Sequence, residues 1–476
     1  MTAKTNVKKT SASLADTIRE KTTQLGRVGQ DLRDVKILLP LILGAAIRFA
    51  LAPFTEQRWD MYIWRLNQVF VYNYHVNPFW PSPGAPLEFA WGYPPLWLFV
   101  LLLVYPFFTL VSHVSYPQSA GALWNPYPWA NATEFFESYR RFIPLNLPVL
   151  DLIIKTPIII ADLCVSIFVY KLVKSMSNEK YARYAAWAWL LNPYVIWVSS
   201  VWGEFDAIAT LFVVISVYYL IKKELSKSAL MLSIGTLFKL YSIILIPVFA
   251  LIAFKRSKKI GHGLRYCLIA GGIALSTLFF TYVAFAASFG QSPLSLSVKL
   301  TYNLLVKRAS PDWMGQNFIS GFTPLILLNG MTGTTNIPVS PILMSIALII
   351  ILISIWKTRE FSGTDIVSYA AVSVLVIYMT YTVVNPQYFI WILPLVLILI
   401  SKEKSFLKYF YWAISVLGII AIMYSTVDLS YNISPYFVSE YLGIRIPLEL
   451  LATSIGLTVV YAIGIKLVLR KPHATA

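Results

Sequence analysis

Continuous apolar runs of about 18–22 residues recur along this chain, separated by short polar and often basic connections. A helix rising about 1.5 Å per residue needs roughly 20 such residues to cross about 30 Å of hydrocarbon. The runs are continuous rather than alternating, which excludes a membrane β-barrel. With 57% hydrophobic residues and a mean hydropathy of +0.66, the chain is too apolar for a soluble domain of its size. The expected fold is an all-α polytopic membrane protein.

Charge assigns the sides. The chain carries 39 Lys and Arg against 22 Asp and Glu, a net charge of +17. These cations do not gather on a soluble face, so no nucleic-acid partner is expected. They sit between spans, at Lys171/Lys174/Lys180/Arg183, Lys222/Lys223/Lys227, Lys255/Arg256/Lys258/Lys259/Arg265, Lys357/Arg359, Lys402/Lys404/Lys408 and Lys466/Arg470/Lys471. All should face the cytoplasm. Connections at about 55–92, 200–206, 289–320, 385–388 and 428–446 then face outward, as do the sequons at Asn131 and Asn432. Spans are expected at about 37–54, 149–172, 184–201, 204–221, 264–288, 341–356, 366–384, 388–401, 409–427 and 447–468.

Two stretches disturb that alternation. Residues 228–253 have basic patches at both ends and contain Lys239 and Pro247, so two half-helices returning to one side are expected. The run 95–112 crosses, re-enters or lies in the interface. The count is about 11–13 transmembrane or re-entrant helices. Residues 1–36 read as a cytosolic tail rather than a cleavable signal peptide, and 469–476 as a second tail. Cys164 and Cys267 lie in apolar runs, which leaves no disulfide framework. The four histidines have no ligand spacing.

Polar residues inside such a chain are costly and become functional candidates. Glu204 and Asp206, in "SSVWGEFDAIATL", stand on the seam between two apolar runs. Asp60 follows the first span, which carries Arg48, where an outer-face pocket would need a base. Asp151, Lys155 and Asp162 recur at helical spacing as one charged stripe, suited to a structural ion pair or to supporting a polar cavity. Lys239 is an isolated cation that snorkels or meets an anion. Lys299, Lys307 and Arg308 are outward cations, and Asn385, Gln387 and Tyr388 are hydrogen-bonding groups at an outward span start. The Trp-, Tyr- and Pro-rich first outer segment suits an interfacial belt.

Several motifs recur in order over residues 40–400: "AIRFALAPFTEQRWDMYIW", "YPPLW" at Tyr93, "KTPIIIADLCVSIFVYKLV", "LLNPYVIWVSSVWGEFDAIATL", "GTLFKLYSIILIP", "YNLLVKRASPDWMGQNFISGF" and "NPQYFIWILPL". As a set they resemble the GT-C superfamily of polyprenyl-phosphate-sugar-dependent glycosyltransferases, and most of all the GPI mannosyltransferase I family. The family's first loop typically carries Asp-x-Asp, whereas here Arg58-Trp59-Asp60 keeps only the second acid.

The resemblance implies a GT-C-like catalytic module at 37–400 with outward active-site loops, including 55–92, and additional C-terminal helices at 401–468. It implies transfer of a hexose, mannose first, from a polyprenyl or dolichyl phosphate to a lipid-linked glycan or glycolipid acceptor, with inversion. Asp60 is then the candidate base. Lys239, Arg308, Lys307 and Arg48 are candidates for the donor phosphate. Glu204, Asp206, Gln387, Tyr388 and Tyr93 would bind substrate, with Lys155 and Asp162 in support. No cofactor is required. A divalent metal is optional, with Glu204 and Asp206 as its candidate ligands. The membrane would be the cell membrane in a prokaryote or archaeon and the endoplasmic reticulum in a eukaryote. A secondary transporter or lipid flippase is the rival reading, and a non-catalytic membrane subunit the third.

Overall fold

The computed structural model describes residues 35–72, 75–80, 91–112, 147–305, 339–381, 384–401, 404–424 and 448–469. The first tail up to 34, Lys307, Arg308, Lys402 and both sequons lie outside the described residues. Among the described residues every regular element is helical, which makes this an all-α polytopic membrane protein. The stretches Ile37–Phe54, Pro148–Met176, Leu240–Ser257, Ile260–Ser288, Ser340–Lys357 and Gly363–Thr380 are long and apolar enough to cross a bilayer. Shorter apolar helices cover Pro95–Val111, Asp206–Ile221, Leu225–Phe238, Pro386–Leu399, Leu407–Ile422 and Ile455–Leu469.

The helices used below are α1 (Val35–Leu51), α2 (Arg58–Tyr72), α3 (Pro95–Ser112), α4 (Leu147–Met176), α5 (Glu179–Leu190), α6 (Pro193–Ile196), α7 (Asp206–Ile221) and α8 (Leu225–Phe238). They continue with α9 (Leu245–Ser257), α10 (Ile260–Cys267), α11 (Ile273–Ser288), α12 (Pro293–Leu305), α13 (Val339–Lys357), α14 (Gly363–Thr380) and α15 (Leu393–Leu399).

Two expectations change in detail. The span expected at 184–201 is not one helix: α5 stops at Leu190, α6 restarts at Pro193, and a π-helical turn runs from Trp197 to Trp202. Pro193 has no N–H to continue the α5 ladder, and the Asn192 side chain accepts from the Tyr194 N–H to open the new helix. The break expected within 228–253 falls at Lys239, whose backbone is extended (φ −149°, ψ 129°). The arm after it, Leu240–Ser257, is long and apolar enough to cross, more than a half-helix needs. Pro247 lies in the first turn of α9, where a missing N–H costs little, so it is not the breaker.

The centre of the bundle is α4, which packs against α1, α3, α5, α7, α15 and the 3-10 turn Ala52–Phe54. Three buried charges on it hold three neighbours. Asp162 accepts from Arg48 Nε at 2.5 Å and from Ser199 Oγ at 2.8 Å. Asp151 pairs with Arg65, which also holds Glu56 at 2.5 Å. Lys155 donates to the carbonyls of Ala52 (3.1 Å), Val201 (3.2 Å) and Thr55. Those carbonyls stand where regular helix has ended, so they have lost their usual partners, and a fully buried ammonium supplies them.

That ammonium stem also dictates the next residue. Gly203 follows the π turn at φ +93°, and a Cβ there would lie 2.8 Å from Lys155 Cε and 3.2 Å from Met61 Sδ. Gly203→Ala should therefore cost roughly 1–3 kcal/mol and lower the apparent melting temperature in detergent. An unchanged melting temperature would refute this packing.

Candidate functional site

The turn that Gly203 opens delivers Glu204, Phe205 and Asp206 to one place. The Gly203 and Glu204 N–H groups both donate to the Val198 carbonyl, at 3.2 and 2.9 Å, closing the π segment. Asp206 then begins α7, where the positive end of the helix dipole favours a carboxylate. Opposite stands Lys239, at the extended break after α8. Its ammonium bonds Asp206 Oδ2 and lies 3.6 Å from Glu204 Oε2. All three side chains are almost completely buried.

Rings enclose the ammonium. Phe205, Tyr388, Tyr93 and Trp391 have centroids 4.8, 5.0, 5.3 and 6.0 Å from Lys239 Nζ. The Trp391 indole N–H donates to Asp206 Oδ1 at 2.5 Å, and the Gln387 amide reaches Glu204 Oε1 at 3.5 Å. Gln387 Oε1 has no hydrogen-bond partner although the residue is buried. Gln387, Tyr388 and Trp391 come from a 3-10 turn, Pro386–Trp391, which exists because Pro386 follows Asn385.

Asp60 completes the group. Its N–H donates to Gln57 Oε1 at 2.7 Å, and its Oδ2 accepts from the Trp202 indole at 2.8 Å. It is half-buried and sits within hydrogen-bonding reach of Glu204. Burial raises its carboxyl above the ordinary aspartate range. The Trp202 indole, the Glu204 contact and the Lys239 charge draw it back, and Asp206 pushes it up again.

Beside this cluster lies a cleft of about 190 Å³. Lys239, Tyr93, Tyr388 and Trp391 of the cluster line it, whereas Asp60, Glu204, Asp206 and Gln387 do not. Ile243, Ile244, Leu304, Met344 and Ile377 contribute apolar wall. A space lined by one ammonium, several tyrosines and many aliphatic side chains suits a lipid-borne headgroup.

Of the residues singled out from the sequence, Asp60, Glu204, Asp206, Lys239, Tyr93, Gln387 and Tyr388 come together. Arg48 joins none of these contacts. It is fully buried, holds Asp162, and donates to the carbonyls of Leu190 (2.7 Å) and Gly44 (3.0 Å), so it serves the scaffold here rather than lining the cleft. Lys155 and Asp162 lie behind the cluster, in the α4 contacts described above. Lys307 and Arg308 fall outside the described residues. Lys299 is exposed, 4.2 Å from the Trp80 ring centroid.

The sequence reading missed Trp202, Trp391, Phe205 and Tyr241. Tyr241 stacks on Trp391 with ring centroids 4.0 Å apart. It also missed Arg65 and Glu56, the partners that meet Asp151, although both stand in the same outer segment as Asp60.

A divalent ion does not fit the carboxylates at this site. Both oxygens of Asp206 are taken, one by Lys239 and one by the Trp391 indole. Among the described residues no three His, Cys, Asp or Glu side chains are grouped to hold an ion.

Comparison with known proteins places the chain in context. A family model described as GPI transamidase subunit PIG-U matches residues 131–313, less than half of the chain. GPI mannosyltransferase 1 of Debaryomyces hansenii is 34% identical over 96 residues, which are 18% of this chain and 23% of that protein. The chain thus spans under a quarter of the length of that relative. Both matches are local, and they agree with the resemblance carried by the motifs: this is an all-α polytopic membrane protein that is similar, over part of its length, to proteins of these two descriptions. The two matched names differ on one point, since the first denotes a transamidase subunit and the second a mannosyltransferase.

The buried charges make a stability prediction. Lys239→Ala leaves Glu204 and Asp206 facing each other without a cation and should cost roughly 3–5 kcal/mol. Neutralising all three as Lys239→Met, Glu204→Gln and Asp206→Asn should recover most of that loss in detergent melts. Equal melting of the single and triple variants would show that the charges are not coupled.

Proposed function

We propose that this protein is a membrane glycosyltransferase that moves a hexose, mannose first, from a polyprenyl or dolichyl phosphate to a lipid-linked glycan or glycolipid. The observation that carries this reading is Asp60. It is a half-buried carboxylate held by an indole N–H beside Glu204, in a cluster whose Lys239, Tyr93 and Tyr388 line a largely apolar cleft. The similarity to a GPI mannosyltransferase supports the same class.

In this reading the acceptor hydroxyl attacks the anomeric carbon in line with the phosphate. A new acceptor O–C1 bond forms, the C1–O phosphate bond breaks, and the bonding pair leaves with the polyprenyl phosphate. Asp60 takes the hydroxyl proton. Glu204 and Gln387, which keep unfilled hydrogen-bonding capacity, hold sugar hydroxyls. Lys239 is already shared between two carboxylates and would offer a phosphate less than a free lysine. Most of the leaving-group charge therefore falls to Lys307 and Arg308, on the connection after α12. The transfer face is outward by the charge map.

A second reading is favoured by the match to a protein described as a transamidase subunit: the same cluster binds a glycolipid without reacting with it. One experiment separates the two. Protein in liposomes is given radiolabelled polyprenyl-phosphate mannose and a glycolipid extract. Label should pass to a new lipid, and Asp60→Asn should slow that transfer by about 10²–10⁴-fold. Transfer that survives Asp60→Asn removes it as the base. No consumption of mannose or glucose donors by the wild type would favour the subunit reading or a transporter.

The pH dependence follows from the raised carboxyl. The base works only when deprotonated, so activity falls as pH drops through the folded pKa of Asp60. Because burial raises that pKa, the acid limb of kcat/KM should lie above the ordinary aspartate value of about 3.9. A limb at or below that value would contradict the assignment.

A further inference from the structure

The end of the bundle away from Asp60 carries a second organised feature. Arg256 Nη1 donates to the Leu220 carbonyl at 2.7 Å, tying the end of α9 to the end of α7. Lys255 Nζ donates to the Trp356 carbonyl at 2.7 Å, tying the same turn to the end of α13. These two bonds gather three chain ends into one surface. Lys222 and Lys223 follow α7, Lys258 and Lys259 follow α9, and Lys357 and Arg359 close α13, with Arg265 on α10 beside them. Every one of these seven side chains is exposed. The nearby acids are largely spent: Glu224 pairs with Lys227, and Asp365 caps Ser362, which leaves Glu360.

The patch has an apolar rim at the same level. Ile260, Leu264 and Leu268 recur at i, i+4 and i+8 and are 80, 60 and 64% exposed. Trp356 is 58% exposed, with Lys255 Nζ 5.2 Å from its ring. The helical stretch Ile260–Ser288 has 29 residues, about 43 Å at the α-helical rise, against about 30 Å of hydrocarbon. The excess length leaves room for a turn or more outside the hydrocarbon, and the basic Lys258, Lys259 and Arg265 assign that place to its first turns. Exposed aliphatic side chains beside lysines, at a helix end that emerges from the bilayer, suit lipid better than the surface of an acidic protein.

The backbone gives a separate sign. Lys223 (φ 63°) and Lys258 (φ 55°) are left-handed, a conformation that Gly or Asn adopts more cheaply. Both strained positions keep a long cation that makes the patch.

We propose that this surface is a docking site for anionic phospholipid headgroups of the surrounding leaflet. It uses none of the residues around Asp60, so it stands independently of the transfer reading.

The test uses full-length protein in nanodiscs of mixed phosphatidylcholine and phosphatidylserine, with the lipids retained by the protein counted by native mass spectrometry. The wild type should retain the anionic lipid over the zwitterionic one by roughly fivefold or more, and about 0.5 M salt should abolish the preference. The variant Lys223→Asn/Lys258→Asn/Lys259→Gln/Arg265→Gln keeps residues that suit the left-handed turns and should bring the ratio close to one. Lys259→Gln/Arg265→Gln alone leaves both turns untouched and should lower the ratio part way. A wild-type ratio of one, or a ratio unmoved by both variants, overturns the proposal. Displacement of the lipid by inorganic phosphate would overturn it too, since that marks a small-anion site rather than a lipid surface.

Discussion

The geometry of the site depends on one buried ammonium. Lys155 spans from α4 to carbonyls of two separate segments that are not α-helical, the 3-10 turn and its exit at 52–55 and the π turn at Val201. Without it, each turn would hold orphaned carbonyls in an apolar interior, at a cost no bundle bears freely. With it, the two turns are locked side by side, and the rest follows in short steps. The Gln57 N–H donates to the Trp202 carbonyl at 3.2 Å. The Gln57 side chain accepts from the Asp60 N–H, and the Trp202 indole holds the Asp60 carboxylate. One cation in the centre of α4 thus fixes the candidate base through residues that touch it from both sides.

Among the described residues, three groups of paired charges share the interior, and they differ in balance. Arg48 with Asp162 is one cation to one carboxylate. Arg65 with Glu56 and Asp151 has a second cation, Lys155, close enough to offset the second acid. Around Lys239 there are three carboxylates, Asp60, Glu204 and Asp206, for a single ammonium. A structural cluster has no reason to carry acid in excess, because each unbalanced charge raises the desolvation cost. A cluster that must take up a proton, or hold hydroxyl groups, does. This surplus of acid distinguishes the candidate site from the other two groups.

Much of this arrangement was legible because charge is so expensive in an apolar chain. Glu204, Asp206, Lys239 and the Asp151–Lys155–Asp162 stripe stand out against their runs, and the structure puts each of them in a buried polar contact. The break at Lys239 was legible for the same reason. The indole donors were not. Trp202 and Trp391 sit among aromatic residues that suit a membrane belt equally well, and only the fold turns their N–H groups toward Asp60 and Asp206. Nor was the split of 184–201, where hydropathy reads straight through Asn192-Pro193 while the hydrogen bonding does not. Arg65 was hidden by its company: in a segment already rich in polar residues, one more cation gives no sign of reaching α4.

The departure from Asp-x-Asp in the first outer segment bears on chemistry rather than on fold. Where the related motif has a first acid, this chain has Arg58, so a paired-carboxylate site cannot form from that segment alone. A carboxyl from elsewhere in the chain, Glu204, lies within hydrogen-bonding reach of Asp60, and the Lys239 ammonium acts on both. A lysine held between two carboxylates balances charge permanently and without exchange, whereas a divalent ion would need open oxygen ligands that Asp206 no longer has. In the proposed reading, charge on a leaving phosphate must then be met by cations arriving from outside the cluster. That requirement turns attention to the connection after α12, whose Lys307 and Arg308 are the cations the charge map puts on the same face as Asp60.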